Sequence, residues 1–324
     1  MPRSPQIAML QVGRAIAAIA VVLYHATQMT VGLTGPFPGS SVLLHGDLGV
    51  DFFFVLSGFI IYHSAAGASP GAFVHARARR IYLPYLPVGI GMALFFSVIG
   101  LNMNGWSWLP SLTLAPIGRP ALAVAWTLQH EIVFYAVFAL SYFSGRLLTG
   151  LGIWAILIVV GTLARVTFIP FAPLNLEFLM GVAAAMAFRR GWGGIRWFAL
   201  ASLPLLLWII LGARTDMSVL IGLTIALIIV PVAGWERGGT KIVPRPFLFL
   251  GAASYSIYLV HAVAISVVTR LVSGWAWMML TAVGASITVG LIYHLAVERP
   301  LLRLDLGMIG RLSVSKRRLW KRTV

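Results

Sequence analysis

Apolar stretches separated by short turn-rich or basic connections recur along the chain from about residue 8 to residue 297. They fall near 8–29, 46–65, 81–101, 121–142, 148–167, 172–190, 195–212, 216–233, 247–269 and 275–297. Most approach the roughly 20 residues with which a helix crosses about 30 Å of hydrocarbon. The pattern predicts an all-α, polytopic integral membrane bundle of about ten transmembrane helices. One transmembrane domain is expected over residues 1–300, followed by a basic cytoplasmic tail over 301–324. The first stretch carries Arg14 in its interior and no convincing cleavage site follows it, so a retained helix is expected rather than a removed signal peptide.

Composition supports this class. Of 324 residues, 60% are hydrophobic and 10% charged, against about 25% charged in soluble domains. No cysteine is present, which excludes disulfides and thiolate chemistry. The formal charge of +16 would suggest nucleic acid in a soluble protein. Here the cations cluster in short connections and the tail, where they set topology and meet anionic lipid headgroups. Membrane lipids, and no nucleic acid, are the expected partners. With the amino terminus cytoplasmic, nineteen of the 24 Lys and Arg residues fall on the inner side and four outside, namely Arg119, Arg165, Arg214 and Arg270. That bias places both termini inside and requires an even number of crossings. Two outer loops, 30–45 and 102–120, are longer than the rest, and Trp106 and Trp108 in the second are expected at headgroup level. No internal repeat supports an inverted-repeat transporter.

Polar residues inside apolar spans are the candidates for chemistry, because each must be compensated. Ten residues separate Arg14 from His25. Over that interval a helix turns through roughly 1100°, about 20° past three full turns, so both side chains leave one face about 16 Å apart along the axis. A cation and an imidazole aligned in this way suggest a lined cavity. Glu131, directly after His130, lies in mid-span and needs a partner, for which Arg14 and His25 are candidates; Glu177 is a second such acid. Asp47 and Asp51 are either charges complementing a helix amino terminus or groups at the mouth of the cavity holding His25. His130, His261 and His294 also fall in spans, and a lone histidine there is more often a packed hydrogen-bonding group. His261 follows Ser254, Tyr255 and Tyr258, which offer further hydrogen-bond donors near the inner half. Arg77, Arg79 and Arg80 are expected at the inner membrane face just before the third helix, as a topology signal or as a site for a polyanionic acyl donor such as the phosphates of coenzyme A. Ser57 reads as a packing serine. No metal-binding spacing is present, and none is expected.

These segments together resemble the acyltransferase 3 family of bacterial membrane O-acyltransferases, in particular its exopolysaccharide-modifying members. Arg14 and His25 fit the family's R/K-x10-H element, GDLGVDFFFVLSGFII its second-helix signature, and RARRIYLPY its basic element. WTLQHEIVFY fits the glutamate-bearing helix, while GAASYSIYLVH and VERP resemble the closing signatures. The resemblance implies transfer of an acyl group, most simply acetyl, from cytoplasmic acyl-coenzyme A to a hydroxyl of an extracytoplasmic or lipid-linked polysaccharide. It implies a bacterial cytoplasmic membrane location, acetyl-CoA as a co-substrate, no permanently bound cofactor, and polysaccharide-assembly proteins as further partners. His25 would be the catalytic residue, accompanied by Arg14, with Glu131 as a cavity carboxylate. Arg77, Arg79 and Arg80 would be acyl-donor-side residues; Tyr255, Tyr258 and His261 are grouped with them, and Asp47 and Asp51 with the acceptor. Direct transfer with His25 as general base is expected, and an acyl-histidine intermediate is the other route. The competing reading from another class is a polysaccharide or lipid transporter using the same cavity; a third is an inactive assembly partner.

Overall fold

The computed structural model describes residues 8–100, 105–213, 217–237 and 243–304. Arg214 and all but the first residues of the expected tail lie outside the described residues. Ten helices of fourteen residues or more occur at the ten places marked by the apolar pattern. They are α1 (Ala8–Thr34), α2 (Leu48–Ala65), α3 (Pro70–Val98), α4 (Trp126–Phe143), α5 (Leu147–Leu163), α6 (Leu176–Arg189), α7 (Arg196–Ile210), α8 (Ser218–Arg237), α9 (Arg245–Val268) and α10 (Trp275–Tyr293). Among the described residues the only extended pairing is an isolated bridge between Trp106 and Arg119. Among the described residues, seven helical stretches are long and apolar enough to cross a membrane. The other three, α5, α6 and α7, have 17, 14 and 15 residues. Large apolar side chains such as Leu140, Leu163, Leu203 and Ile210 are exposed on the outside of the bundle, as lipid-facing surfaces require. The chain is a multi-pass membrane protein.

Close backbone approach holds the bundle together, since lipid supplies no hydrophobic drive for helices to associate. α1 packs against α2, α8, α9 and α10, and α2 packs against α6 and α8. A Cβ on Gly58 of α2 would stand 2.0 Å from the Phe178 carbonyl oxygen, and one on Gly181 of α6 would stand 1.9 Å from that of Val55. These reciprocal glycines press α2 onto α6. At Gly251 of α9, a Cβ would meet the Gln11 carbonyl oxygen of α1 at 2.1 Å. α1 and α9 both run away from the same end of the bundle. That end also carries the start of α3 and is called the basic end below.

Two features depart from the sequence pattern. α3 begins at Pro70, not near residue 81, because the Ser69 side chain accepts from Ala72 N–H at 3.3 Å and proline occupies the first turn. The basic segment is therefore helical, not a connection. The prolines within α3, Pro84 and Pro87, remove N–H donors from its ladder. Nearby carbonyls are met by tyrosines: Tyr255 Oη donates to Ile81 O at 3.0 Å and Tyr293 Oη to Pro84 O at 2.7 Å. The second departure is the loop between α3 and α4, which turns back into the bundle. Tyr85 Oη donates to Ser111 O at 2.7 Å, Tyr82 Oη donates to Thr113 O, Gln129 Nε2 donates to Ala115 O at 2.5 Å, and Leu114 is fully buried. Tyr85 lies near the middle of the 29-residue α3, so the loop descends about halfway along that helix.

Candidate active site

A cavity of about 510 Å³ opens among α1, α2, α3, α4 and α9. Four arginines line it, Arg14, Arg77, Arg79 and Arg80, against one carboxylate, Glu131. This excess of positive charge suits a ligand bearing several phosphates. Helical spacing brings Arg77 and Arg80 onto one side of the lower part of α3. Arg77 Nη2 donates to Ser64 Oγ of α2 at 2.6 Å, and Arg79 Nη2 donates to Leu302 O at 3.1 Å. Both guanidinium groups are thus oriented by protein contacts while lining the cavity.

Deeper in, Arg14 is buried in α1 and its Nε donates to Ser254 Oγ of α9 at 3.2 Å. Glu131 accepts from Ser57 Oγ of α2 at 3.2 Å and from Tyr135 Oη one turn along its own helix. The partner foreseen for Glu131 was Arg14 or His25; the hydrogen bonds found come from a tyrosine and a serine. Ser57, read as a packing residue, lines the cavity because α2 turns that face toward α4. Tyr135 went unnoticed in the sequence, although its i, i+4 spacing from Glu131 was a usable signal.

Tyr258 closes the far end of the cavity. Its hydroxyl donates to Val124 O at 2.9 Å and lies 2.8 Å from Thr127 Oγ1. Immediately behind it is His261, with ring centroids 5.5 Å apart, and His261 stands 5.1 Å from His25. His25 is half-buried and hydrogen-bonds the side chain of Gln28, whereas His261 is fully buried. Because α1 and α9 run in the same direction from Ala8 and Arg245, residue 261 reaches the level of residue 25.

Arg14, Arg77, Arg79, Arg80, Glu131, Tyr255 and Tyr258 therefore share one cavity; His25 and His261 are absent from its lining, His261 lying behind Tyr258 and His25 next to His261. Asp51 is elsewhere. It is buried on the opposite face of α2, where its carboxyl hydrogen-bonds Glu177 of α6, and Ser218 Oγ donates to Glu177 Oε1 at 3.4 Å. Asp47 ends the single turn Leu44–Asp47 that leads into α2 and is likewise absent from the lining. His130 has a packing role, with Nδ1 at 2.8 Å from Asn175 Oδ1. His294 Nδ1 lies 2.7 Å from Glu298 Oε2, which also accepts from Ser256 Oγ at 2.5 Å.

Comparison with known proteins adds a chemical class to this geometry. The acyltransferase domain model matches residues 7–297. The chain is 32% identical over 301 residues to the exopolysaccharide production protein ExoZ of Rhizobium meliloti (strain 1021), covering 82% of this chain and 94% of that protein. It is 27% identical over 369 residues to acyltransferase MdmB of Streptomyces mycarofaciens, covering 94% of this chain and 93% of that protein. Protein 2 in the picA locus of Rhizobium radiobacter is 32% identical over 156 residues, or 39% of this chain and 77% of that protein. No solved structure gives a significant match.

Proposed function

The chain belongs to the acyltransferase domain family, and from that premise we propose that it moves an acyl group, acetyl in the simplest case, from acyl-coenzyme A to a polysaccharide hydroxyl. The acceptor is an extracytoplasmic or lipid-linked glycan, and the site is the bacterial cytoplasmic membrane, crossed ten times with both termini inside. The observation that carries this reading is the cavity itself. It runs from Arg77, Arg79 and Arg80 at the basic end, past Arg14 and Glu131, to Tyr258, behind which His261 and then His25 follow. A phosphate-bearing acyl donor enters at the arginines, with its thioester directed toward Tyr258. The name of the ExoZ relative supports a polysaccharide acceptor.

In the proposed step the acceptor oxygen attacks the thioester carbonyl and its proton passes to neutral His25. The tetrahedral intermediate collapses, the carbon–sulfur bond breaks, and the coenzyme A thiolate leaves and takes up that proton. An imidazole suits both transfers because its unperturbed pKa lies close to neutrality. Arg14 balances negative charge in the cavity, about 16 Å along the helix from His25, too far to touch the reacting carbon. Glu131, held by Tyr135 and Ser57, offsets part of the arginine charge.

The test is turnover of purified protein in nanodiscs with labelled acetyl-CoA and a panel of glycans. Ester formation on a glycan hydroxyl supports the reading; glycan movement across a vesicle membrane without ester formation replaces it with transport. Rapid mixing without acceptor separates the routes. Stoichiometric labelling of the protein that disappears in His25→Ala would replace direct transfer with an acyl-histidine.

A further inference from the structure

His261 is fully buried, and its two ring nitrogens are in unequal positions. Nδ1 lies 2.6 Å from the Tyr258 backbone oxygen on the same helix. A carbonyl oxygen can only accept, so Nδ1 carries the hydrogen. In the neutral ring Nε2 is then a bare acceptor. It is buried and has no hydrogen-bond partner within the protein. An unmet acceptor in a membrane-embedded core is unfavourable and calls for a partner.

The neighbour facing this ring across the α1–α9 contact is His25, at a centroid separation of 5.1 Å and a tilt of 40°. At that separation two ring nitrogens that point at one another stand about 3 Å apart, hydrogen-bond distance. On its other flank His25 meets Gln28, which is exposed and displaceable. His25 thus stands between a buried, fixed acceptor and an exposed, movable amide.

Resting on the transfer reaction above, we propose that His261 is a positioning residue for His25. Its Nε2 accepts the N–H of the buried-side nitrogen of His25 and so fixes the tautomer of that ring. The other nitrogen of His25 is then bare and turned toward Gln28, where the acceptor hydroxyl displaces the amide and gives up its proton. The Tyr258 carbonyl serves as the outer anchor, holding His261 in the one tautomer that can accept. Two imidazoles from parallel helices here perform the task that a carboxylate–histidine pair performs in other transferases and hydrolases.

The decisive measurement is read on the wild-type protein, with variants used only for assignment. In full-length protein labelled with ¹⁵N-histidine and embedded in nanodiscs, nitrogen chemical shifts report the tautomer of each ring, with assignments taken from His25→Gln and His261→Gln. The expected result is His261 protonated on Nδ1 and His25 in a single tautomer. His261 protonated on Nε2 would overturn the proposal. In turnover, His261→Phe should lower kcat by about 10–100-fold with the KM for acetyl-CoA unchanged. His261→Gln, which returns an amide oxygen near the Nε2 position, should restore part of that loss. Unchanged kcat together with an unchanged His25 tautomer in His261→Phe would also defeat it. Failure of the wild-type protein to transfer any acyl group would instead sink the functional reading, because the tautomers are read without substrate.

Discussion

Two groups of polar side chains lie inside this bundle on opposite faces of α2, and they differ in what surrounds them. On one face Ser57 joins Glu131, Tyr135, Arg14 and the α3 arginines around an open cavity. On the other, Asp51 and Glu177 meet inside the helix contact made tight by Gly58 and Gly181. Gly222 of α8 belongs to the same packing, since a Cβ there would strike Glu177 Cγ at 2.6 Å. Both groups look alike in a sequence, as ionisable residues in apolar spans. Among the described residues, the first lines a cavity of about 510 Å³, while Asp51 and Glu177 are buried. Burial of charge in a membrane therefore marks a place of consequence, but access to a cavity decides whether the consequence is chemical or structural.

The largest expected effect falls just beyond the open group, behind Tyr258 and His261. His25→Gln should lower the acyl-transfer rate by at least about 100-fold in protein that still runs as a folded species on size exclusion. Comparable turnover in that variant would remove His25 from the reaction. Next comes the packing that holds the sealed group. Gly181→Leu forces a side chain into the Val55 carbonyl, so little folded protein should be recovered from the membrane; normal yield and melting temperature would show that α2 and α6 can separate without cost. A smaller effect is expected at the cavity mouth. Arg80→Gln should raise the KM for acetyl-CoA by about tenfold with kcat nearly unchanged, and added salt should narrow the difference from wild type. The smallest separates the two groups directly. Asp51→Asn keeps a hydrogen-bonding group opposite Glu177, and turnover should stay within about twofold of wild type, with any change confined to thermal stability. A loss of turnover there at unchanged stability would join Asp51 to the active site and dissolve the contrast.

The positions of all ten helices were legible because apolar runs near span length are hard to read in any other way. The start of α3 was not. Four charged or polar residues in HARARR resemble a connection, and only the Ser69–Pro70 cap shows that the helix begins ahead of them. Arg14 and His25 could be aligned by helical arithmetic alone. Their meeting with Ser254 and His261 could not, because it depends on α1 and α9 running in parallel with a matched register. Asp51 shows the same limit from the other side. Its depth was readable, but which face of α2 it occupies relative to the cavity is set by the Gly58–Gly181 contact with α6.

The account stands most directly on sidedness. Protein reconstituted into vesicles with its basic end outward, given labelled acetyl-CoA outside and a glycan acceptor sealed within, should place labelled ester on the enclosed glycan. His25→Gln should place none. Ester that forms only when acetyl-CoA and glycan share a compartment would contradict transfer across the bundle.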